Sequence, residues 1–315
     1  MDLLGIGDDT GALPELTPLS GGHGGETFLA DVAGERSIVR IYAGRGASRG
    51  ANAAEVDAAV LRLVRGLLPV PEVLEVRRAD PSAGTPALLV TSWLPGSRLD
   101  EVLPTADERL AATIGRNLGE ILARLAQMPM LRDGMFLDGE LRIGPMPPEA
   151  DDLLSWVDSQ LDGTPLAAWQ EADRRGLHEL ADRAQAIVDR TSRSCLVHSD
   201  FNPKNILVDP GTGEVTGLLD WEYAHAGSPF TDLGNLLRFD RRPDLADAVV
   251  STYSALVVDA PEDLLDRARA VDLWALVELA SRRGQNPVAD RAHDLLLAKA
   301  RSGDLHAVPG YRSRQ

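Results

Sequence analysis

Residues 196 to 222 constrain the fold of this chain more than any other stretch. They hold two short apolar runs separated by the sequence PGTG at residues 210–213, with Asp200, Asn205 and Asp220 near the ends of the runs. Turn-forming residues between apolar runs predict a β-hairpin. We therefore expect these three polar side chains to converge in space at the ends of one hairpin.

The three side chains have the chemistry of a metal site. Two carboxylates and one amide oxygen are hard ligands, and Mg²⁺ in proteins is commonly held by one or two carboxylates together with the phosphates of a nucleotide. The first hypothesis is therefore a nucleotide-dependent reaction.

The spacing within the stretch narrows this hypothesis. HSD at residues 198–200, with Asn205 five residues after the aspartate, follows the catalytic loop of kinases, and DWE at residues 220–222 stands where kinases carry Asp-Phe-Gly. The pattern resembles the aminoglycoside phosphotransferase family of small-molecule kinases. Members of that family look like protein kinases in fold, but they carry an Asp-Trp or Asp-Phe pair without the following glycine.

The resemblance implies an α+β, protein-kinase-like fold of two lobes. The N-lobe is an antiparallel sheet plus a helix, and the C-lobe is mostly helical around the catalytic hairpin. Strand-rich sequence gives way to helical sequence at LPG, residues 94–96, so we expect a nucleotide-binding lobe at residues 1–94 and a catalytic and substrate-binding lobe at residues 95–315.

The resemblance also assigns roles at the centre of the site. Asp200 would be the catalytic residue that accepts the proton of the acceptor hydroxyl, Asn205 and Asp220 would hold Mg²⁺, and ATP would be the phosphoryl donor. Lys204 would reach the transferring phosphoryl group, although an exposed, solvated lysine is an equal alternative.

A glycine-rich bend between two predicted strands fits a phosphate site. Gly21, Gly22, Gly24 and Gly25 lie there, and glycine lets backbone amides close over an anion. A hairpin turn without a ligand remains the alternative.

Arg40 lies in a β-branched run, at the place where kinases carry a strand lysine. Alternation along the strand puts Arg40 on one face with Tyr42. The resemblance implies an ion pair between Arg40 and Glu55 of the next helix, holding the α and β phosphates. Arginine is a departure from lysine because its guanidinium is planar and bidentate. The alternative for Glu55 is a capping box with Asn52 at the helix start.

The connector between the predicted lobes is Ser92-Trp93-Leu94. In the related kinases this connector binds adenine through backbone groups, and we expect the same of these three residues. For Trp93, packing between the lobes is an equally good interpretation.

The sequence therefore predicts an ATP-dependent O-phosphotransferase that moves the γ-phosphoryl group to a hydroxyl of a small molecule. An aminoglycoside-like antibiotic is one acceptor, which would make the protein a resistance enzyme. The alternatives are a small metabolite, such as a sugar, an amino alcohol or a glycated amine, and a kinase-like binding protein without catalytic activity.

A hydrolase is disfavoured as a third class. GASRG at residues 46–50 fits the G-x-S-x-G nucleophile elbow, but only 47 residues precede Ser48. A hydrolase needs strands and an oxyanion loop before its serine, and this segment shows no succession of strand, helix and strand.

Composition limits the partners. The chain of 315 residues has a formal net charge of −16, whereas nucleic acids and anionic membranes are bound by clustered lysine and arginine, so we expect neither partner. The negative net charge suits a cationic substrate. The alternative is an acidic, soluble surface that has no relation to the ligand. Without an apolar run of eighteen residues or the layout of a secretory signal, a cytoplasmic protein is expected.

Three further residues have structural predictions. The single cysteine, Cys195, is expected to be a small buried strand residue. The resemblance to kinase-like folds implies that Asp232 is a buried anchor that accepts backbone amides of the catalytic loop. Thr105 and Glu108 are expected to form the capping box of a long helix.

Overall fold

The structure is a computed structural model that describes residues 15–19, 26–42, 50–80, 82–239 and 242–310. The chain divides into two compact units. The first unit comprises Met1–Pro95, Leu137–Arg142 and Gly217–Glu222, and the second comprises Gly96–Phe136, Ile143–Thr216 and Tyr223–Gln315.

The first unit is an antiparallel sheet with one long helix. Its elements are β1 (Glu15–Leu19), β2 (Glu26–Val32), β3 (Glu35–Tyr42), α1 (Ala53–Val64), β4 (Val73–Arg77) and β5 (Ala87–Ser92). The strand order is β1-β2-β3-β5-β4. Val39 packs with Ala30 and Leu88 on one face of the sheet, and Arg40 points to the opposite face, as the alternation predicts.

Between Leu16 and Gly44 the sequence predicts two strands, whereas the described residues of this range form three, β1, β2 and β3. The strand missed is separated from its neighbour by a turn of only two residues, Ala33 and Gly34, with φ of 55° and 91°. Such a left-handed pair matches the twist of a tight hairpin, and the Asp31 carboxylate accepts the Gly34 N–H at 2.9 Å.

Helix α1 packs against the rest of the first unit through an apolar stripe. Val56, Val60 and Val64 recur along one face and are fully buried. Asp57 lies among these buried positions and is only 4% exposed. A buried carboxylate requires a partner, and the partner of Asp57 belongs to the candidate site.

The second unit is mostly helical. Its elements are β6 (Ser97–Arg98), α2 (Leu99–Val102), α3 (Glu108–Ala126), β7 (Pro129–Met130), α4 (Leu153–Leu161), α5 (Glu171–Val188), β8 (Ser194–Val197), β9 (Ile206–Val208), β10 (Val215–Leu218), β11 (His225–Gly227), α6 (Thr231–Leu236), α7 (Pro243–Leu256), α8 (Leu264–Val271), α9 (Leu273–Ser281) and α10 (Pro287–Ser302). The last two residues of β10 count with the first unit. No helix in the described ranges is both long and apolar enough to cross a lipid bilayer.

Helix α3 starts differently from the prediction. Its N-cap is Asp107, whose carboxylate accepts the N–H of Leu110 at 2.7 Å. The capping box of Thr105 and Glu108 is therefore wrong. Thr105 closes the preceding 3₁₀ turn, where its hydroxyl donates to the carbonyl of Val102 at 3.1 Å.

Two short sheets carry the predicted catalytic stretch. β8 pairs with β7 and β11, whereas β9 lies between β10 and β6. The predicted hairpin is formed by β9 and β10, and its turn is stabilised by Asp209, whose carboxylate accepts the N–H groups of Gly211 and Thr212 at 2.8 Å. Cys195 is buried in β8, which confirms that prediction.

Candidate active site

A buried carboxylate anchors the loop that follows β8. Asp232, in the first turn of α6, accepts the backbone N–H groups of His198 and Ser199, each at 2.8 Å. Ser199 has a φ of 67°, an uncommon left-handed conformation that these two hydrogen bonds hold in place. Complete burial raises the pKa of Asp232, and the charge of His198 and the two amide hydrogen bonds oppose the rise. The prediction that Asp232 anchors the loop is confirmed.

The loop presents the carboxylate of Asp200 between three donors. Asn202 donates its side-chain amide to Oδ1 at 2.5 Å, and Asn205 donates to Oδ2 at 2.8 Å. The ammonium of Lys204 lies 3.4 Å from Oδ2. Both oxygens are thus held by side chains from the same short turn, which fixes the direction of the carboxylate.

Sequence reasoning missed Asn202. Besides binding Asp200, its side chain accepts the N–H of Lys204 at 3.1 Å and so caps the 3₁₀ turn Pro203–Asn205. An asparagine followed by a proline is typical of a turn, and Asn202-Pro203 could have indicated that Asn202 caps this turn.

The side-chain amide of Asn205 is held by Asp200. Its amide nitrogen donates to both the backbone oxygen and the Oδ2 of Asp200, at 2.9 and 2.8 Å. Because the nitrogen is bound to Asp200, the amide oxygen faces away from it, and this is the atom that a hard cation takes. The donor chemistry at Asn205 therefore fits Mg²⁺.

Asp220 lies in the first unit, where Arg40 binds it. The Nη1 of Arg40 donates to Oδ1 of Asp220 at 3.0 Å, and its Nη2 forms a close ion pair with Glu222. Asp220 has a φ of 65°, a left-handed conformation that aspartate tolerates better than most residues. Arg40 thus bridges the first and third residues of the DWE motif.

Helix α1 adds a further carboxylate to this cluster. Asp57 accepts the hydroxyl of Tyr42 at 2.7 Å, and the guanidinium of Arg40 lies 5.3 Å from the centre of the Tyr42 ring. Sequence reasoning missed both Asp57 and Tyr42. The available signal was an acidic residue within the apolar stripe of α1.

Several charged side chains interact in this cluster. One guanidinium, Arg40, faces Asp57, Asp220 and Glu222. Burial raises the pKa of Glu222, repulsion from Asp220 raises it further, and Arg40 opposes both effects.

Arg40 also has an orphaned donor. Its Nε is buried and has no hydrogen-bond partner within the described ranges. A buried N–H without an acceptor costs free energy.

The predicted ion pair of Arg40 and Glu55 is wrong. Glu55 instead binds the guanidinium of Arg78 at 2.6 Å, on the exposed side of the unit. The reason is helical phase: residues two apart differ in direction by about 200°, so Glu55 points away when Asp57 points toward β3. The alternative capping box is also wrong, because the side chain of Asn52 donates to the carbonyl of Leu137 at 2.9 Å and makes no cap.

The connector is bound to the sheet by its first two amides. The N–H of Ser92 donates to the backbone carbonyl of Glu72 at 2.9 Å, and the Ser92 hydroxyl accepts the N–H of Glu72 at 2.9 Å. Trp93 donates to the carbonyl of Arg36 at 3.4 Å, and its ring lies 6.0 Å from the Arg36 guanidinium. Adenine binding by Ser92, Trp93 and Leu94 stays a prediction.

Two predictions fall outside the described residues. The glycine-rich bend with Gly21, Gly22, Gly24 and Gly25 lies within residues 20–25, and Ser48 of the esterase alternative lies within residues 43–49.

A sequence model of the phosphotransferase enzyme family, APH, matches residues 15–271. The chain belongs to this family. The family resemblance drawn from the HSD and DWE motifs is thereby confirmed.

Solved structures show the same fold. A complex of a thermostable variant of aminoglycoside phosphotransferase APH(4)-Ia with ADP and hygromycin B has a TM-score of 0.64 at 20% identity, covering 92% of this chain and 94% of that chain. The GDP complex of aminoglycoside 2'-phosphotransferase-IIIa has a TM-score of 0.65 at 16% identity, covering 94% of each chain. The predicted α+β, kinase-like fold is therefore confirmed.

Curated relatives of this phosphotransferase-family chain are larger proteins. Acyl-CoA dehydrogenase family member 10 of Mus musculus is 24% identical over 221 residues, which cover 70% of this chain and 20% of the relative. Acyl-CoA dehydrogenase family member 11 of Mus musculus is 45% identical over 51 residues, or 16% of this chain and 6% of the relative. The chain thus spans about a fifth of the length of the first relative.

Proposed function

We propose that this phosphotransferase-family chain is an ATP-dependent O-phosphotransferase acting on a hydroxyl of a small molecule. The observation that carries the proposal is the carboxylate of Asp200, held between Asn202 and Asn205 on a loop anchored by buried Asp232. A carboxylate fixed in this way can receive and orient a hydroxyl group, which is the task of the catalytic aspartate in kinases.

In the proposed reaction, the bond between the γ-phosphorus of ATP and the oxygen leading to the β-phosphate breaks. A new bond forms between that phosphorus and the acceptor oxygen, the hydroxyl proton passes to Asp200, and ADP leaves. A carboxylate is a weak base toward an alcohol, so the main contribution of Asp200 is to position the nucleophile in a loose transition state.

We propose separate roles for the residues that would bind the nucleotide. We assign Arg40, with its orphaned Nε, and Lys204 to the phosphates, the connector Ser92, Trp93 and Leu94 to the base, and the glycines of residues 20–25 to the phosphates. Asn205 and Asp220 would hold Mg²⁺, which neutralises phosphate charge when bound. We propose a cytoplasmic location, where ATP is available.

Two acceptor classes have support. The structural neighbour in complex with hygromycin B and the net charge of −16 favour a cationic, aminoglycoside-like acceptor and hence a role in resistance. A small metabolite with a hydroxyl group is the second class, because the curated relative matched over 70% of this chain is not named as an aminoglycoside phosphotransferase.

A screen of hydroxyl compounds tests the function. Aminoglycosides, sugars, amino alcohols, glycated amines and hydroxy acids are incubated with ATP and Mg²⁺, and ³¹P NMR detects a new phosphate ester. We expect an ester from at least one class, and an Asp200→Ala enzyme with kcat lowered on the order of 10²–10⁴-fold and nucleotide affinity nearly unchanged. Asp182→Ala, at an exposed position of α5, is the matched control and should retain activity.

Two results contradict the proposal. Nucleotide binding without transfer to any acceptor would indicate a kinase-like binding protein. Full activity of Asp200→Ala would remove the catalytic role of Asp200.

A further inference from the structure

The guanidinium of Arg40 binds two carboxylates at once, one through each terminal nitrogen. Its Nη1 binds Asp220 and its Nη2 binds Glu222, and the side chains of Arg40 and Glu222 are only 14% and 9% exposed. A lysine ammonium is a compact point charge and cannot reproduce two planar, directed contacts of this kind. Arginine at position 40 therefore matches the presence of a second carboxylate at position 222.

The local backbone places both carboxylates against this guanidinium. Asp220 has a left-handed backbone conformation, and a short 3₁₀ turn follows that begins at Trp221. Trp221 is 3% exposed, and its indole N–H donates to the carbonyl of Leu218 at 3.1 Å. The buried indole fixes the turn, and the residues on either side of it both reach Arg40.

The helix does not supply the expected partner. Glu55 is bound to Arg78, and Asp57 accepts the hydroxyl of Tyr42. The acidic group in close contact with the strand cation thus comes from the DWE turn.

We propose that Glu222 is a positioning residue for nucleotide binding, which fixes the orientation of the Arg40 guanidinium toward the nucleotide phosphates. In this chain the pair of Arg40 and Glu222 takes the place of the ion pair between strand and helix. The inference rests on the proposed function, because it requires a nucleotide whose phosphates reach Arg40.

Calorimetric titration of ADP and ATP, each with and without Mg²⁺, tests this role in two nearly isosteric variants. Glu222→Gln keeps the size of the side chain and removes its charge, and we expect it to weaken nucleotide binding roughly tenfold or more, the factor expected for losing one charge-assisted hydrogen bond. Glu55→Gln is the matched control, and we expect its affinity to stay within about twofold of wild type, as for a surface ion pair.

A double-mutant cycle separates positioning from a general loss of structure. Arg40→Lys should weaken binding in the wild-type background and add little in the Glu222→Gln background, because the guanidinium has already lost one of its two contacts. Glu222→Asp should restore part of the affinity. Thermal unfolding midpoints identify any variant that fails to fold. If Glu222→Gln fails to fold, the nucleotide affinities of Arg40→Lys and Glu55→Gln are compared instead, and that comparison tests the proposal.

The failures are distinguishable. A wild type that binds no nucleotide would overturn the proposed function. A wild type that binds nucleotide, with Glu222→Gln unchanged or with Glu55→Gln weakened as much as Glu222→Gln, would overturn the role of Glu222. Equal affinities of Arg40→Lys and wild type would do the same.

Discussion

Asp200 shows how single residues specify the geometry of the site. Its two carboxylate oxygens accept from different asparagines, Asn202 and Asn205, which are themselves held by the 3₁₀ turn. Both oxygens are fixed by side chains of the protein itself, so little conformational entropy remains to be lost on binding. This favours a positioning role for the carboxylate in the proposed reaction.

At this scale the sequence predicts residue types better than contacts. The spacing of the motif was sufficient to single out Asp200, Asn205 and Asp220 as candidates, because it reflects local turn geometry. It misassigned Glu55 and missed Asp57, because the two differ only in helical phase relative to a strand distant in sequence. Which of two nearby carboxylates faces a sheet is decided by packing.

A buried histidine makes stability depend on pH. His293 is 2% exposed, and its Nε2 faces the indole N–H of Trp169 at 2.7 Å and the guanidinium of Arg283 at 3.2 Å. Burial lowers the pKa of His293, Arg283 lowers it further, and Asp294 opposes the shift. Because the folded state resists protonation, stability should fall as pH drops below about 6.5, the ordinary histidine value at which the unfolded chain takes up its proton.

Urea unfolding between pH 7.5 and pH 5 checks this prediction. In His293→Gln the part of the decline due to His293 should vanish, whereas in His306→Gln, at an exposed position, the decline should persist. Identical pH profiles of wild type and His293→Gln would show that His293 does not contribute.

At the scale of elements, the sequence predicts features that depend on local pattern, but it does not predict pairing between distant strands. The hairpin of β9 and β10 follows from its turn sequence, and the strand alternation around Arg40 was predicted correctly. The pairing of β8 with β11 was not predicted, because their interaction joins residues 28 to 32 positions apart and has no local signal. The start of α3 was misplaced by competition between two nearby polar residues, Thr105 and Asp107.

The contact of α3 with α7 depends on small residues. A β-carbon at Gly115 would lie 2.6 Å from the backbone oxygen of Leu245 and 2.9 Å from the β-carbon of Ala248. Gly115→Ala should therefore destabilise the protein, because overpacking of about 1–3 kcal/mol outweighs the gain of roughly 1 kcal/mol in helix propensity. The free energy of unfolding in denaturant measures the net effect.

Arg109→Ala provides the comparison for this prediction. It also introduces alanine into α3, but at an exposed position, so we expect a change within about 0.5 kcal/mol. A Gly115→Ala protein more stable than wild type would show that the two helices can separate without cost.

At the scale of the whole molecule, the predicted site residues come from distant parts of the chain. Asp200 and Asn205 belong to the second unit, whereas Arg40, Asp220 and Glu222 belong to the first. The segment Gly217–Glu222 counts with the first unit although more than 120 positions separate it from Pro95. Chain order does not express such a grouping, and the division of nucleotide binding and catalysis between residues 1–94 and 95–315 stays a prediction.

Calorimetric titration of ATP into wild type and Asp220→Ala, with and without Mg²⁺, tests the proposed phosphotransferase most directly. It needs no knowledge of the acceptor. We expect Mg²⁺ to strengthen ATP binding to wild type at least tenfold, and Asp220→Ala to lose that gain because a carboxylate ligand is removed. An unchanged affinity of Asp220→Ala for ATP with Mg²⁺, or a wild type that binds no nucleotide, would contradict the proposal.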